Sequence, residues 1–318
     1  MYIGSSLLGP IFFIPGACRR VLTSFSKNGK ITKERFYSHI NNIFKKFMFD
    51  ILFARTFFIV GGMLLVTALT AHINKVFETA KEAWATIIGT FVFLFAITFF
   101  ADIFPLNLFL VAFFSGIMGW LIGPTIDYFG RYYKLKKFLK SRGLVFKKGD
   151  PRAKELKKEI GEVIMQFKKV DPGAEESRNE FTKMIMEFKD TQYTSEWHTI
   201  VFQAMMATAF AVFATAGIVF LTKFDFSFLG GFLLIALFIL VIMGFVNLFF
   251  FHSRIFSLIR AYIGVVIFTL YLLFDFNRLE KIAGDKSWSA AIDIAVNIYL
   301  DIINLFLDLL EILSDASD

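Results

Sequence analysis

The sequence predicts an all-α membrane protein with seven transmembrane helices. Hydrophobic residues make up 56% of the 318 residues, charged residues make up only 19%, and the apolar residues are gathered in long stretches. Soluble domains have about 45–50% apolar and about 25% charged residues. These proportions exclude a disordered chain, a coiled coil and an ordinary cytosolic enzyme.

Each apolar stretch is long enough for a membrane helix, which needs about 17–25 mostly apolar residues. Pro105 marks the turn between the second and third stretches, and residues 223–227 form the turn between the fourth and fifth. No stretch shows the short alternating pattern of a membrane β-strand, so we expect a helical bundle. The predicted spans are 51–73, 84–104, 106–128, 197–222, 227–250, 254–276 and 287–313.

The chain divides into four parts by composition. A basic segment, 1–50, precedes the first three helices in 51–130, and an insertion, 131–193, separates them from the last four helices in 194–318. The insertion carries 17 basic and 10 acidic residues. Two amphipathic stretches within it predict an extramembrane helical hairpin. Its simplest interpretation is a solvated loop, and an anionic lipid or a protein partner is the alternative; we expect no nucleic acid.

The N-terminal segment and the insertion favour opposite orientations. The first 50 residues carry eight bases and two acids, which places them in the cytosol by the positive-inside rule. The basic insertion, three helices later, then lies on the other side. The rule weakens for loops near about 60 residues, so we expect the N-terminus to be cytosolic.

A stripe of polar residues runs along the last span. Its members are spaced by three and four residues, so they share one helical face. A charged side chain at the bilayer centre costs about 2.5–3.5 kcal/mol, so the stripe must face the bundle interior, a base or a water-filled path. Asp301 is the central member, whereas the outer acids could lie at the membrane surfaces. The stripe comprises Asp293, Asn297, Asp301, Asn304, Asp308 and Glu311.

A second intramembrane acid, Asp275, ends the sixth span. Only residues 279–286 separate this helix from the last one, so Asp275 and Asp301 could approach each other inside the bundle. Two neighbouring carboxylates repel each other when both are ionised, so they titrate as a coupled pair and could sense pH. Carboxylate oxygens also suit Ca²⁺. Arg278 could instead pair with Asp275 along the helix.

No pattern for a catalytic or permanent metal site is present in the sequence. The single cysteine excludes a disulfide scaffold, and the four histidines are scattered. We find no nucleophile–base set, so we expect no enzymatic activity and no cofactor.

Five strings of the chain resemble the transmembrane Bax inhibitor motif family, its bacterial members in particular. The resemblance implies seven helices with the last surrounded by the other six. It also implies a pH-sensitive Ca²⁺ leak gated by an aspartate pair, which corresponds to Asp275 and Asp301, with Ca²⁺ bound there transiently. The strings are FARTFFIVGGMLLVTALTA (53–71), FFSGIMGWLIGPTI (113–126), DFSFLGGFLLIALFILVIMGFVNLF (225–249), IGVVIFTLYLLFDFNRLEK (263–281) and NIYLDIINLFLDLLEIL (297–313).

The chain also departs from that family. Bacterial members carry a basic cluster at the end of the second span, where an arginine can latch the sixth-span aspartate, but this chain has Asp102-Ile-Phe-Pro there. Arg55 and Arg278 are the candidate latch bases. Asn297, Asn304, Asp308 and Glu311 are candidates for an ion path.

Three functions remain open from the sequence. The first is a pH-sensitive Ca²⁺ leak, in which Ca²⁺ and protons bind to and leave the Asp275–Asp301 pair. The second is a proton- or cation-coupled transporter of a small solute, and the third is an interaction or scaffold protein that acts through the basic hairpin. We expect the bacterial cytoplasmic membrane as the location, with the endoplasmic reticulum or another endomembrane as the alternative.

Overall fold

The computed structural model describes residues 51–74, 77, 79–141, 193–222, 224–251 and 253–316. These residues confirm the all-helical prediction, since they form seven helices that are long and apolar enough to cross a membrane. A π-helical turn, Asn247–Phe251, follows the fifth helix. The helices are α1 (Ile51–Ile73), α2 (Ala80–Phe99), α3 (Leu106–Ser141), α4 (Thr194–Thr222), α5 (Leu229–Val246), α6 (Arg254–Lys281) and α7 (Trp288–Ala316).

The outer surface of the bundle is covered by large apolar side chains. Five phenylalanines on it are each at least 75% exposed: Phe58, Phe99, Phe210, Phe213 and Phe250. Soluble monomers rarely expose a continuous apolar surface of this kind. The exposed surface therefore agrees with helices that face lipid.

The last helix, α7, lies at the centre of the bundle, as the family resemblance implies. Its main contacts are with α1, α3, α4 and α6, whereas α2 packs mainly on α3 and α5 mainly on α6. Four helices rather than six therefore form most of its surroundings.

Two glycines let α1 and α3 approach closely. A Cβ atom on Gly119 would overlap the carbonyl oxygen of Thr67, and one on Gly123 would overlap the carbonyl oxygen of Asn74. Small residues at helix crossings allow such contact between backbones in membranes. The α1–α3 pair supports one side of α7.

The third helix is longer than the sequence predicts. It contains 36 residues and ends at Ser141, so residues 131–141 of the predicted insertion continue α3. A helix of this length spans about 54 Å, which exceeds the hydrocarbon core. The basic segment 1–50 and the rest of the predicted hairpin, 142–192, lie outside the described residues.

A short connection fixes α6 against α7. Gly284 adopts φ 99°, a left-handed conformation that favours glycine. The Asp285 carboxylate accepts a hydrogen bond of 2.7 Å from the backbone N–H of Ser287, and Ser287 Oγ accepts one of 3.2 Å from Ala290 N. The connection therefore caps the start of α7 and holds the two helices antiparallel.

The turn between α4 and α5 is tied to the end of α6. Asp225 Oδ1 lies 2.7 Å from Lys281 Nζ and accepts hydrogen bonds from Ser227 N at 2.9 Å and Asn277 Nδ2 at 3.2 Å. The Lys281 ammonium, followed by the Ser227 hydrogen bonds, holds the pKa of Asp225 well below its ordinary value. We call these four residues the Asp225 clamp.

We expect Asp225→Asn to destabilise the protein more at neutral pH than in strong acid. Because the folded state lowers the pKa of Asp225, the stabilisation is fully present above the unfolded-state value of about 4 and is lost as the pH falls through the lower folded-state value. Thermal unfolding in detergent at about pH 7 and about pH 2 measures this difference. Asp102→Asn, an exposed acid in the α2–α3 turn, is the control, and an equal deficit of Asp225→Asn at both pH values would contradict the prediction.

Candidate functional site

The two acids singled out by the sequence lie together inside the bundle. Asp275 on α6 and Asp301 on α7 are only 4% and 6% exposed. Their carboxyl groups lie within hydrogen-bonding reach of each other. Two ionised carboxylates repel each other, so this contact favours one proton shared between the two groups. We call Asp275 and Asp301 the aspartate pair.

One oxygen of the aspartate pair receives no hydrogen bond from another side chain or from the backbone. Asp301 Oδ2 is buried, and no N–H or hydroxyl group of the described residues donates to it. Buried polar atoms in proteins are nearly always hydrogen-bonded, and exceptions often mark functional positions. Tyr271 on α6 is close enough to interact electrostatically with both carboxyl groups. The pair is thus arranged to exchange a proton or to contact a cation.

The two predicted latch bases lie near the α6–α7 connection, where each contacts another group. The Arg55 guanidinium lies 4.3 Å from the ring centroid of Trp288 and donates a hydrogen bond to the carbonyl oxygen of Lys286. Arg278 forms its ion pair with Asp293. Arg278 also interacts electrostatically with Asp275.

The rest of the stripe is distributed along α7. Asn297 is half-buried, and Asn304 donates a hydrogen bond of 2.8 Å to the carbonyl oxygen of Leu300 in the same helix. Asp308 and Glu311 are only 3% and 2% exposed, so both are covered by protein.

Two arginines that sequence reasoning missed neutralise the C-terminal acids of α7. Arg254 Nη1 lies 2.9 Å from Glu311 Oε1, and Arg260 Nη2 lies 3.4 Å from Asp308 Oδ1 and 3.3 Å from Glu311 Oε2. We call Arg254, Arg260, Asp308 and Glu311 the arginine cluster. Ser257 donates a hydrogen bond to Glu311 as well. The three-residue spacing of Arg254, Ser257 and Arg260 at the start of the sixth span was the available signal.

A separate polar contact links three helices around the centre. The hydroxyl groups of Thr67 on α1 and Tyr299 on α7 are 2.6 Å apart, and Thr67 Oγ1 donates to the carbonyl oxygen of Ser115 on α3 at 3.1 Å. Tyr299 is fully buried. This contact fixes the rotation of α7 and therefore the direction in which its stripe points.

The described part of the chain contains no group of three His, Cys, Asp or Glu side chains placed to hold a metal ion. Stable Ca²⁺ sites use six to eight oxygen ligands.

Comparison with known proteins shows a similarity to one family. Residues 191–318 match the family described as "Inhibitor of apoptosis-promoting Bax1". The match covers 128 of the 318 residues, so this part of the chain is similar to the Bax inhibitor family. The matched region contains α4 to α7 and therefore both the aspartate pair and the arginine cluster.

Proteins similar to this chain come from a plant, a virus and bacteria. Protein LIFEGUARD 1 of Arabidopsis thaliana is 36% identical over 119 residues, which cover 36% of this chain and 49% of the relative. The Golgi anti-apoptotic protein of vaccinia virus is 34% identical over 114 residues, covering 36% and 46%. An uncharacterized protein of Campylobacter jejuni is 35% identical over 114 residues, covering 36% and 47%.

The chain spans about half the length of these curated relatives. The match to this family, together with seven helices long and apolar enough to cross a membrane among the described residues, supports an integral membrane protein. Both α6 and α7 lie within residues 191–318, so the candidate site lies within the part of the chain that matches the family.

Proposed function

We propose that this protein is a pH-sensitive Ca²⁺ leak channel gated by the aspartate pair. The observation that carries the proposal is the burial of Asp275 and Asp301 beside each other inside the bundle, where no N–H or hydroxyl group of the described residues donates to Asp301 Oδ2. Placing two acids in a membrane interior is costly, so such residues generally serve transport or proton transfer.

Gating follows from the proton that the pair shares. Gaining or losing this proton changes the charge between α6 and α7. If the open and closed arrangements of the helices contact this charge differently, the change in charge shifts the populations of the two arrangements. The charged and titratable groups nearest the pair are Tyr271, Arg278 and Asp293. Arg278 is positioned to favour the state in which the pair carries more negative charge.

The conducting face would be the stripe of α7. Asn297 and Asn304 supply amide groups on either side of Asp301, and Asp308 and Glu311 supply carboxylates further along the helix. Oxygen ligands in such a row replace part of the hydration shell of Ca²⁺. The protein would act as a passive path in the bacterial cytoplasmic membrane or an endomembrane, without enzymatic turnover and without a cofactor.

The experiment is Ca²⁺ influx into liposomes that contain a trapped dye. We expect the wild-type rate to change about tenfold between about pH 5 and about pH 8, because the shared proton couples charge to conformation. Asp275→Asn and Asp301→Asn should each remove this pH dependence, since an amide does not titrate. Asp102→Asn, which changes an exposed acid outside the helices, should behave like the wild type.

Two results would redirect the proposal. A pH-dependent wild-type influx that persists in both aspartate variants would place the pH sensor elsewhere. Saturable uptake of a small solute that depends on the pair would favour a coupled transporter. Deletion of residues 142–192, which contain most of the predicted basic hairpin, should spare Ca²⁺ influx if the path lies in the bundle and should abolish function if the protein is a scaffold.

A further inference from the structure

The aspartate pair and the arginine cluster lie in series on one face of α7. Asp308 follows Asp301 by seven residues, which is about 10 Å along a helix axis. Asn304 lies between them on the same face. A cation that moves along this face therefore meets first one group of carboxylates and then the other.

Arg254 is firmly held in the arginine cluster. Besides its ion pair with Glu311, its Nη2 donates hydrogen bonds of 3.3 Å to the Glu311 carbonyl oxygen and to Ser314 Oγ. Its guanidinium also lies 5.0 Å from the ring centroid of Tyr132 and 5.6 Å from that of Phe129. Contacts with aromatic faces stabilise a cation further. Arg254 is thus a fixed part of the bundle.

Arg260 is held more weakly. It reaches Asp308 and Glu311 through a single nitrogen, at 3.4 and 3.3 Å, and its side chain is 29% exposed compared with 18% for Arg254. Bonds between a guanidinium and a carboxylate are usually about 2.7–2.9 Å long and often use two nitrogens. Arg260 can therefore leave the cluster without breaking the contacts of Arg254.

Asp308 has an acceptor that Arg260 does not fill. Asp308 Oδ2 is buried and has no hydrogen-bond partner within the described part of the chain. It packs directly on the backbone of α6, since a Cβ atom on Gly264 would overlap it, and the other oxygen, Oδ1, is the one that contacts Arg260. Arg260 is the one base that pairs with Asp308 among the described residues, so the buried carboxylate loses its counter-charge when Arg260 moves away.

We propose that Arg260 is a displaceable counter-ion that closes the proposed Ca²⁺ path at the arginine cluster. Its guanidinium binds the carboxylate oxygens of Asp308 and Glu311. When Arg260 moves away, a passing Ca²⁺ binds the same oxygens. Ca²⁺ prefers carboxylate oxygens, and a guanidinium at the same place both blocks and repels it. Arg254 keeps Glu311 in position throughout. This inference rests on the proposed leak and adds to it a closure separate from the aspartate pair.

The first test compares Ca²⁺ influx for the wild type and Arg260→Gln in liposomes, at the pH of largest wild-type influx. We expect the substitution to raise the rate about tenfold, because it removes the blocking charge and keeps both carboxylates. Lys136→Gln is the matched control, since Lys136 lies 3.6 Å from Asp315 Oδ1 at the same end of the bundle. An unchanged or lower rate in folded Arg260→Gln would overturn the inference.

A second test needs no ion flux. Cys18 is the single cysteine of the chain, so Asn304→Cys in a Cys18→Ser background places one thiol between the aspartate pair and the arginine cluster. A cationic, membrane-impermeant thiosulfonate on both sides of the bilayer then measures access to that point. Arg260→Gln should raise the labelling rate about tenfold, and Lys136→Gln should leave it unchanged.

The two tests separate this inference from the leak proposal. If labelling rises with Arg260→Gln while no protein, including the wild type, passes Ca²⁺, the leak proposal fails and the counter-ion assignment stands. If the wild type passes Ca²⁺ but Arg260→Gln raises neither rate, the counter-ion assignment fails and the leak stands. Should Arg260→Gln fail to fold, Arg260→Gln with Asp308→Asn removes one charge of each sign and is expected to raise labelling as well.

Discussion

Replacing Glu311 with glutamine should lower the free energy of unfolding by about 3 kcal/mol, because removing one partner of a buried ion pair leaves the other charges uncompensated. Glu311 is 2% exposed and bonds to Arg254, Arg260 and Ser257. Glutamine keeps the shape of the side chain but not its charge. Thermal or denaturant unfolding in detergent micelles measures the loss.

Asp293→Asn is the matched control for this prediction. Asp293 also pairs with an arginine, Arg278, but the two side chains are 50% and 43% exposed. Exposed pairs contribute about 0–1 kcal/mol, so the control should have little effect on stability. Equal losses in the two variants would contradict the view that the arginine cluster is a buried, structurally required group.

Replacing Gly119 with alanine should destabilise the protein by about 1–3 kcal/mol, the usual cost of forcing an extra methyl group into a packed site. The added Cβ would overlap the Thr67 carbonyl oxygen and the Thr70 side chain, so α3 must move away from α1. The same movement stretches the contact between Thr67 and Tyr299. We therefore expect the variant to lower Ca²⁺ influx as well as thermal stability.

Gly61→Ala provides the comparison for Gly119→Ala. Gly61 lies in α1, and a Cβ built there meets no atom within 4 Å. The two variants make the same chemical change in membrane helices that contact each other. A stability loss of equal size in both would show that the close α1–α3 contact does not limit stability.

The sequence was sufficient to predict the helices and to single out Asp275 and Asp301 as acids inside the membrane spans. Spans follow from apolar length alone, because a bilayer demands about 20 consecutive apolar residues. Asp275 and Asp301 could be singled out because uncompensated acids in such spans are expensive, and the short connection between their helices limits where they can lie. The structure places both side chains in contact, as this argument expects.

The arginine cluster and the full length of α3 could not be predicted from the sequence by the same arguments. Pairing Arg260 with Asp308 depends on the register of α6 against α7, which the Gly284 turn and the close approach at Gly264 determine. From the sequence, residues 131–141 are assigned to the basic insertion, because charged residues mark where a helix leaves the membrane. They do not show where the helix itself ends. The actual end of α3 depends on packing beyond the hydrocarbon core, such as the Lys137–Glu196 pair.

Ca²⁺ influx of the wild-type protein in liposomes, recorded from about pH 5 to about pH 8, tests the central claim most directly. The account predicts influx above that of empty liposomes, with a rate that changes with pH because the Asp275–Asp301 proton is gained or lost. Influx indistinguishable from empty liposomes at every pH, from protein shown to be folded, would contradict it.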